Sequence, residues 1–110
     1  MISVKINRDY NRNITNFTVE GHANAEEYGR DIVCASIAIL AQTAVLALNE
    51  LLDIDVNYEM DDGWLYCELP QLLDEDIRTK ANIILDTMVL GIKGTQEMYS
   101  DFIEFLDKEV

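Results

Sequence analysis

Residues 54–70 read Ile54-Asp55-Val56-Asn57-Tyr58-Glu59-Met60-Asp61-Asp62-Gly63-Trp64-Leu65-Tyr66-Cys67-Glu68-Leu69-Pro70. Ile54, Val56, Tyr58 and Met60 alternate with polar residues, and Leu65, Cys67 and Leu69 alternate on a second arm. A period of two is the mark of a half-buried strand. Asp62-Gly63 between the arms signals a two-residue hairpin turn of type I′. That turn sets Met60 opposite Leu65, Tyr58 opposite Cys67 and Val56 opposite Leu69. Turn and alternation therefore agree on one register. Pro70 closes the second arm, and Trp64 and Tyr66 fall on the face away from the core residues.

Upstream lies a long apolar run. Asp31 stands just before it, where an N-cap belongs, and the spacing predicts a helix to about Leu52. Its alanines at 35, 38, 41, 44 and 47 spiral around the axis, because a step of three rotates about 300°. Val33, Ile37, Leu40 and Leu48 lie on one side, and Ile32, Ile39 and Leu46 on another. A helix apolar all round is buried on more than one face. A two-layer domain covers only one, so the pattern predicts a homodimer.

Further upstream, Ile2, Val4 and Ile6 alternate with polar residues, as do Phe17 and Val19. Asp9 to Asn13 is turn chemistry, so these strands form a hairpin. Ile14 is out of phase with Phe17, which predicts either a bulge or a late start of the strand. Downstream, Asp74-Glu75-Asp76 suits the positive end of a helix. Ile77, Ala81, Ile84, Leu85, Met88 and Ile92 continue it, with Gly91 and Gly94 near its end. Residues 99–106 fit helix and strand equally. The layout is β-β-α-β-β-α plus this tail: an α+β fold with two helices packed on one sheet.

At 110 residues the chain is expected to be a single domain. A hydrophobic share of 49% and a charged share of 26% are globular composition. The net charge of −13 argues against an electrostatically driven nucleic-acid binder and against an anionic membrane surface. Residues 1–30 carry four basic and four acidic side chains, and residues 31–110 carry four basic and seventeen acidic ones. Ile32 to Asn49 is uncharged over eighteen residues. It is interrupted by Ser36, Gln42, Thr43 and Asn49, and its flanks carry Asp31 and Glu50 with no cluster of Lys or Arg, so a membrane span is not expected. The N-terminus alternates rather than forming a secretory signal. Two cysteines are expected to be reduced thiols, which points to the cytoplasm.

The only histidine, His22, ends the second strand, and Cys34 follows twelve residues later. With Asp31 as N-cap, Cys34 occupies the third helical position. The helix N-terminus there supplies partial positive charge and free N–H groups. These favour a thiolate, as does a protonated imidazole, and the N–H groups could hold an oxyanion. Asp31 could orient the imidazole or cap the helix. A buried, inert cysteine is the ordinary alternative. A metal set of His22, Asp31, Cys34 and Cys67 is opposed by the register, which puts Cys67 on the apolar face, so neither metal nor cofactor is expected.

Gly21-His22-Ala23 and Gly29-Arg30-Asp31-Ile32-Val33-Cys34-Ala35 resemble the ribosomal-processing cysteine protease family of bacteria. That family's pattern is a Gly-His-Ala triplet, a short variable loop and then G-x-D-I-V-C-A. The rest of the chain is similar in layout. The resemblance implies a protease that removes a short N-terminal extension from a large-subunit ribosomal protein. His22 would be its base, Cys34 its nucleophile and Asp31 a supporting residue. It also implies a homodimer and a final strand from about Phe102, giving β-β-α-β-β-α-β with a small mixed or antiparallel sheet in two layers. Gly21 and Gly29 would be hinges of a lid spanning residues 21–30. Many members carry Ser four residues after the cysteine. Here Ala38 stands in that place, and Ser36 is displaced by two.

The alternatives are a non-catalytic ribosome-assembly module that binds a basic ribosomal protein, and a thiol hydrolase acting on a small ester or thioester. In the protease reading and the module reading the acidic surplus would attract a basic partner at long range.

Overall fold

The computed structural model describes residues 1–21 and 30–109. Seven elements follow one another: β1 (Ile2–Arg8), β2 (Ile14–Glu20), α1 (Arg30–Glu50), β3 (Asn57–Asp61), β4 (Trp64–Glu68), α2 (Glu75–Met98) and β5 (Ile103–Glu109). The order is the expected β-β-α-β-β-α-β. The strands form one open mixed sheet, β3-β4-β2-β1-β5. Three pairings are antiparallel and β1–β5 is parallel. It follows that β4 and β5 run the same way, with two strands between them. A parallel connection needs a crossover of a dozen or more residues, which α2 supplies; α1 does the same from β2 to β3.

The expected hairpin register holds: Met60 faces Leu65 and Tyr58 faces Cys67. Two details differ. The ladder starts at Asn57, so Val56 lies outside it. Gly63 has φ +73°, whereas Asp62 keeps the ordinary negative sign. Type I′ needs both positive, so the turn is of another type; positive φ at the second central residue alone is the type II pattern. The burial of β3 also departs from expectation. Tyr58 and Met60 are exposed, because β3 is an edge strand that α1 reaches with little more than Gln42. The expected bulge is present: Asn7 pairs with Asn16 and Arg8 with Ile14, leaving Thr15 as the extra residue. It brings Ile14 and Phe17 into the same core.

The tail resolves as a strand because Ile2, Val4 and Ile6 lie alongside Ile103, Phe105 and Asp107 in parallel register. Arg8 locks the far end of that pairing, donating from Nε and Nη2 to the two carboxylate oxygens of Asp107 at 2.8 and 3.1 Å.

Both helices cover one face of the sheet. Val33, Ile37, Ala41, Val45 and Leu48 of α1 are buried with Ala81, Leu85 and Ile92 of α2. By length and apolarity α1 could cross a membrane, with mean hydropathy 2.0 over Ile32–Glu50, yet this buried stripe is part of the core. α1 ends two residues earlier than expected. Asp53, at φ +57°, turns the chain so that the Ile54 N–H reaches the Leu48 carbonyl at 3.1 Å. α2 continues through Gly91 and Gly94 to Met98. At Gly91 the helices pack tightly: a Cβ there would lie 2.8 Å from Leu40 Cδ2.

Candidate active site

A cavity of about 180 Å³ opens where α1 passes over the ends of β2, β3 and β4. Cys34, Ala38 and Gln42 of α1 form one wall. They are four residues apart, so a single helical face presents all three. Val19, Leu65 and Met60 form another wall; they stand in one row across β2, β4 and β3. Gly21, Gly63 and Trp64 complete the rim. The Gly21 N–H donates to the Gly63 carbonyl at 2.9 Å, which ties the end of β2 to the β3–β4 turn.

The two cysteines occupy opposite environments. Cys34 is partly exposed on the cavity wall. Cys67 is fully buried between Phe17 and Tyr58 in the ladder. Burial, aided by the charge of Glu68, pushes its thiol up to about 12. A thiol so hard to ionise is a poor nucleophile and a poor metal ligand. Of the two thiols, Cys34 is the one open to a cavity.

The helix start corrects one expectation. Arg30 is already helical, so Asp31 lies inside the first turn and is not the N-cap. Cys34 is then the fifth residue of α1 rather than the third. Helical bonding takes up an N–H at that position. The free N–H groups belong to the turn before it, so Cys34 sits one turn inside the dipole's positive end. His22, Gly29 and the lid expected between them lie outside the described residues, as does the side chain of Asp31. Gly21, the first expected hinge, is described and lines the cavity beside Cys34.

Ala38, at the position where the resemblance led to an expectation of Ser, borders the cavity. Ser36 does not replace it. Its hydroxyl donates to the Ile32 carbonyl at 2.8 Å, and it lines a separate groove between α1 and α2.

Gln42 and Met60 were missed as wall residues by the sequence reading. The Met60 sulfur accepts from Gln42 Nε2 at 3.4 Å and from Tyr58 Oη at 3.3 Å, bridging helix and edge strand. Spacing from Cys34 could have found Gln42, eight residues on, but only the packing of α1 over β3 brings Met60 to it. A larger cleft, about 670 Å³, lies at the other end of the strands between Asp9, Asn13, Glu68 and Arg78. It contains no cysteine, and Arg78 there is engaged with the Ile14 carbonyl.

A partly exposed helical thiol over a cavity, on a one-sided mixed sheet, is an arrangement a small α+β thiol enzyme can use. The chain belongs to the family Cysteine protease Prp, whose model matches residues 1–104, and it is a cysteine protease. It is 32% identical over 103 residues to the ribosomal processing cysteine protease Prp of Bacillus subtilis, covering 92% of each chain. It is also similar to the crystal structure of the S. aureus ribosomal processing protease Prp in complex with a substrate peptide. The TM-score is 0.85 at 27% identity, covering 98% of this chain and all of that one. The S. aureus protein with a covalently linked product peptide superposes with a TM-score of 0.83 at 28% identity, over 98% of this chain and 100% of that one. Family membership selects the protease over the assembly module and the small-ester hydrolase.

Proposed function

We propose that this protease removes a short N-terminal extension from a large-subunit ribosomal protein, using Cys34 as nucleophile and His22 as base. The observation that carries the assignment is the partial exposure of Cys34 on the cavity wall, set against the buried Cys67. His22 follows Gly21, a cavity residue, directly in the chain. The names of the relatives, with a substrate peptide bound to one, support the substrate class.

In this mechanism His22 takes the Cys34 proton and the sulfur attacks the scissile carbonyl carbon. N–H groups of the first turn of α1 hold the resulting oxyanion. The tetrahedral intermediate collapses as His22 gives its proton to the leaving amine, and a thioester remains on Cys34. Water, deprotonated by His22, cleaves the thioester to a carboxylate and restores the thiol.

The working form is a homodimer in the cytoplasm. Ile32, Ile39 and Leu46, seven residues apart on α1, are each more than half exposed, as are Ile83 and Leu90 on α2. Exposed apolar stripes of this kind on two neighbouring helices support an interface with a second copy. Both cysteines are free, in keeping with a reducing compartment.

The test is mass spectrometry of a peptide spanning the N-terminal region of the ribosomal protein, incubated with the wild-type protein and with Cys34→Ala and His22→Ala. Cleavage by the wild type alone is expected. Equal cleavage by Cys34→Ala ends the assignment.

A further inference from the structure

The helices cover one face of the sheet and leave the other open. On the open face of β4, Trp64 and Tyr66 lie with parallel rings, 5° between planes and 6.2 Å between centroids. Carboxylates surround this pair. Glu20 and Asp61 are the cross-strand neighbours of Trp64 on its two sides, Glu59 is that of Tyr66, and Glu68 follows on β4. All four are exposed, and the ion pairs among the described residues include none of them. The Tyr66 hydroxyl donates to Glu68 at 3.0 Å. Of the basic residues of this face, Lys108 stands on the far strand β5, and Lys5 on β1 shares a cross-strand row with Tyr66, with Thr18 of β2 between them.

Aromatic rings with carboxylates at their edges suit one chemistry. The face of each ring attracts a Lys or Arg cation, and the carboxylates neutralise it. The surface adjoins the cavity at the strand ends, where Trp64 and Asp61 are among the cavity's lining residues. From Trp64 to Glu68 the strand rises about 13 Å, which an extended polypeptide spans in about four residues.

We infer that the open face of β4, centred on Trp64 and Tyr66, docks a Lys- or Arg-bearing stretch of the substrate that flanks the cleaved segment. The inference rests on the function proposed above and names how that substrate is held outside the cavity. Ribosomal substrates match it in charge, because proteins that neutralise RNA phosphates carry Lys and Arg. An aromatic–acidic platform at the cavity rim would favour such a protein over a neutral peptide of the same cleaved sequence.

The experiment uses two peptides with one cleaved segment, continued by four residues of alternating Lys and Gly in one and of Ser and Gly in the other. Wild-type protein should cleave the Lys peptide about tenfold more efficiently at low salt, mainly through KM. Glu59→Gln/Glu68→Gln should lose about fivefold on the Lys peptide and stay within twofold on the Ser peptide. Glu50→Gln/Glu97→Gln removes the same charge from the helices and should behave as wild type. Equal losses in both double variants, or no preference for Lys in the wild type, would overturn the docking site.

If the wild type cleaves neither peptide, the substrate assignment fails and docking is judged separately. Trp64 is the only tryptophan, so its fluorescence in Cys34→Ala reports binding directly. A saturable change with the Lys peptide alone upholds the site, and a flat titration with both overturns it.

Discussion

The Gly21 N–H donates to the Gly63 carbonyl at 2.9 Å, joining the residue before His22 to the turn of the second hairpin. This bond closes the rim of the Cys34 cavity. It is reached with Gly21 at φ +143°, in a conformation natural only to glycine. A Cβ there would lie 2.6 Å from the Met1 carbonyl oxygen, which is backbone and cannot turn aside. Gly21→Ala should therefore cost about 2 kcal/mol or more, given that such backbone strain costs about 1–3 kcal/mol. It should also lower kcat/KM at least tenfold. Urea unfolding and peptide cleavage measure the two effects; unchanged stability would refute the close approach.

The two thiols should separate cleanly under a disulfide reagent. Cys34 should react in the native protein, and Cys67 only after unfolding, since it is fully buried with its thiol pushed up to about 12. Stopped-flow labelling with and without guanidinium counts one thiol and then two.

The same burial makes stability depend on pH. The Cys67 thiol has a raised pKa in the folded state, from 9.0 to about 12, so the unfolded state loses its proton first. Its contribution is intact below pH 9 and should fall by about 1.4 kcal/mol per pH unit between pH 9 and 12. Urea titrations of wild type and Cys67→Ala across this window should differ in slope by that amount. Parallel curves would refute the shift.

Gly91 and Leu40 set the distance between the helices. Gly91→Ala gains about 1 kcal/mol of helix propensity and meets only the end of the Leu40 side chain, 2.8 Å away, so the two effects should nearly cancel. Gly91→Leu should cost about 1–3 kcal/mol by overpacking. Combining it with Leu40→Ala should recover part of that loss. A double-mutant cycle showing no coupling would place the contact elsewhere.

The exposed side of α1 should hold the dimer together. Ile39→Glu puts a charge in the centre of the stripe formed with Ile32 and Leu46. Sedimentation velocity should show a dimer for the wild type and a monomer for the variant, with the far-ultraviolet circular dichroism unchanged. A monomeric wild type would contradict the expectation.

Much of this fold is local and therefore legible. The register from Asn57 to Glu68 follows from alternation and a two-residue turn, and it survives a turn of unexpected type. The bulge at Thr15 follows from the phase of Ile14 against Phe17. Cys34 and His22 stand out through a motif of fifteen residues at positions 21–35.

Other features depend on partners far away in the chain. Residues 99–106 carry both helical and strand spacing, and pairing with β1, about a hundred residues earlier, makes the chain a strand from Ile103. Tyr58 and Met60 have the alternation of core residues but lie on the sheet edge, beyond most of the helix cover. Gln42 and Met60 meet only because α1 crosses over β3. By itself the sequence determined the first six elements, the register of the second hairpin and the candidate nucleophile, because each depends on spacing within a few residues. Only the tertiary structure decided which strands lie at the sheet edge and what walls surround Cys34. Those depend on the order of strands in the sheet, which puts residues distant in the chain into contact.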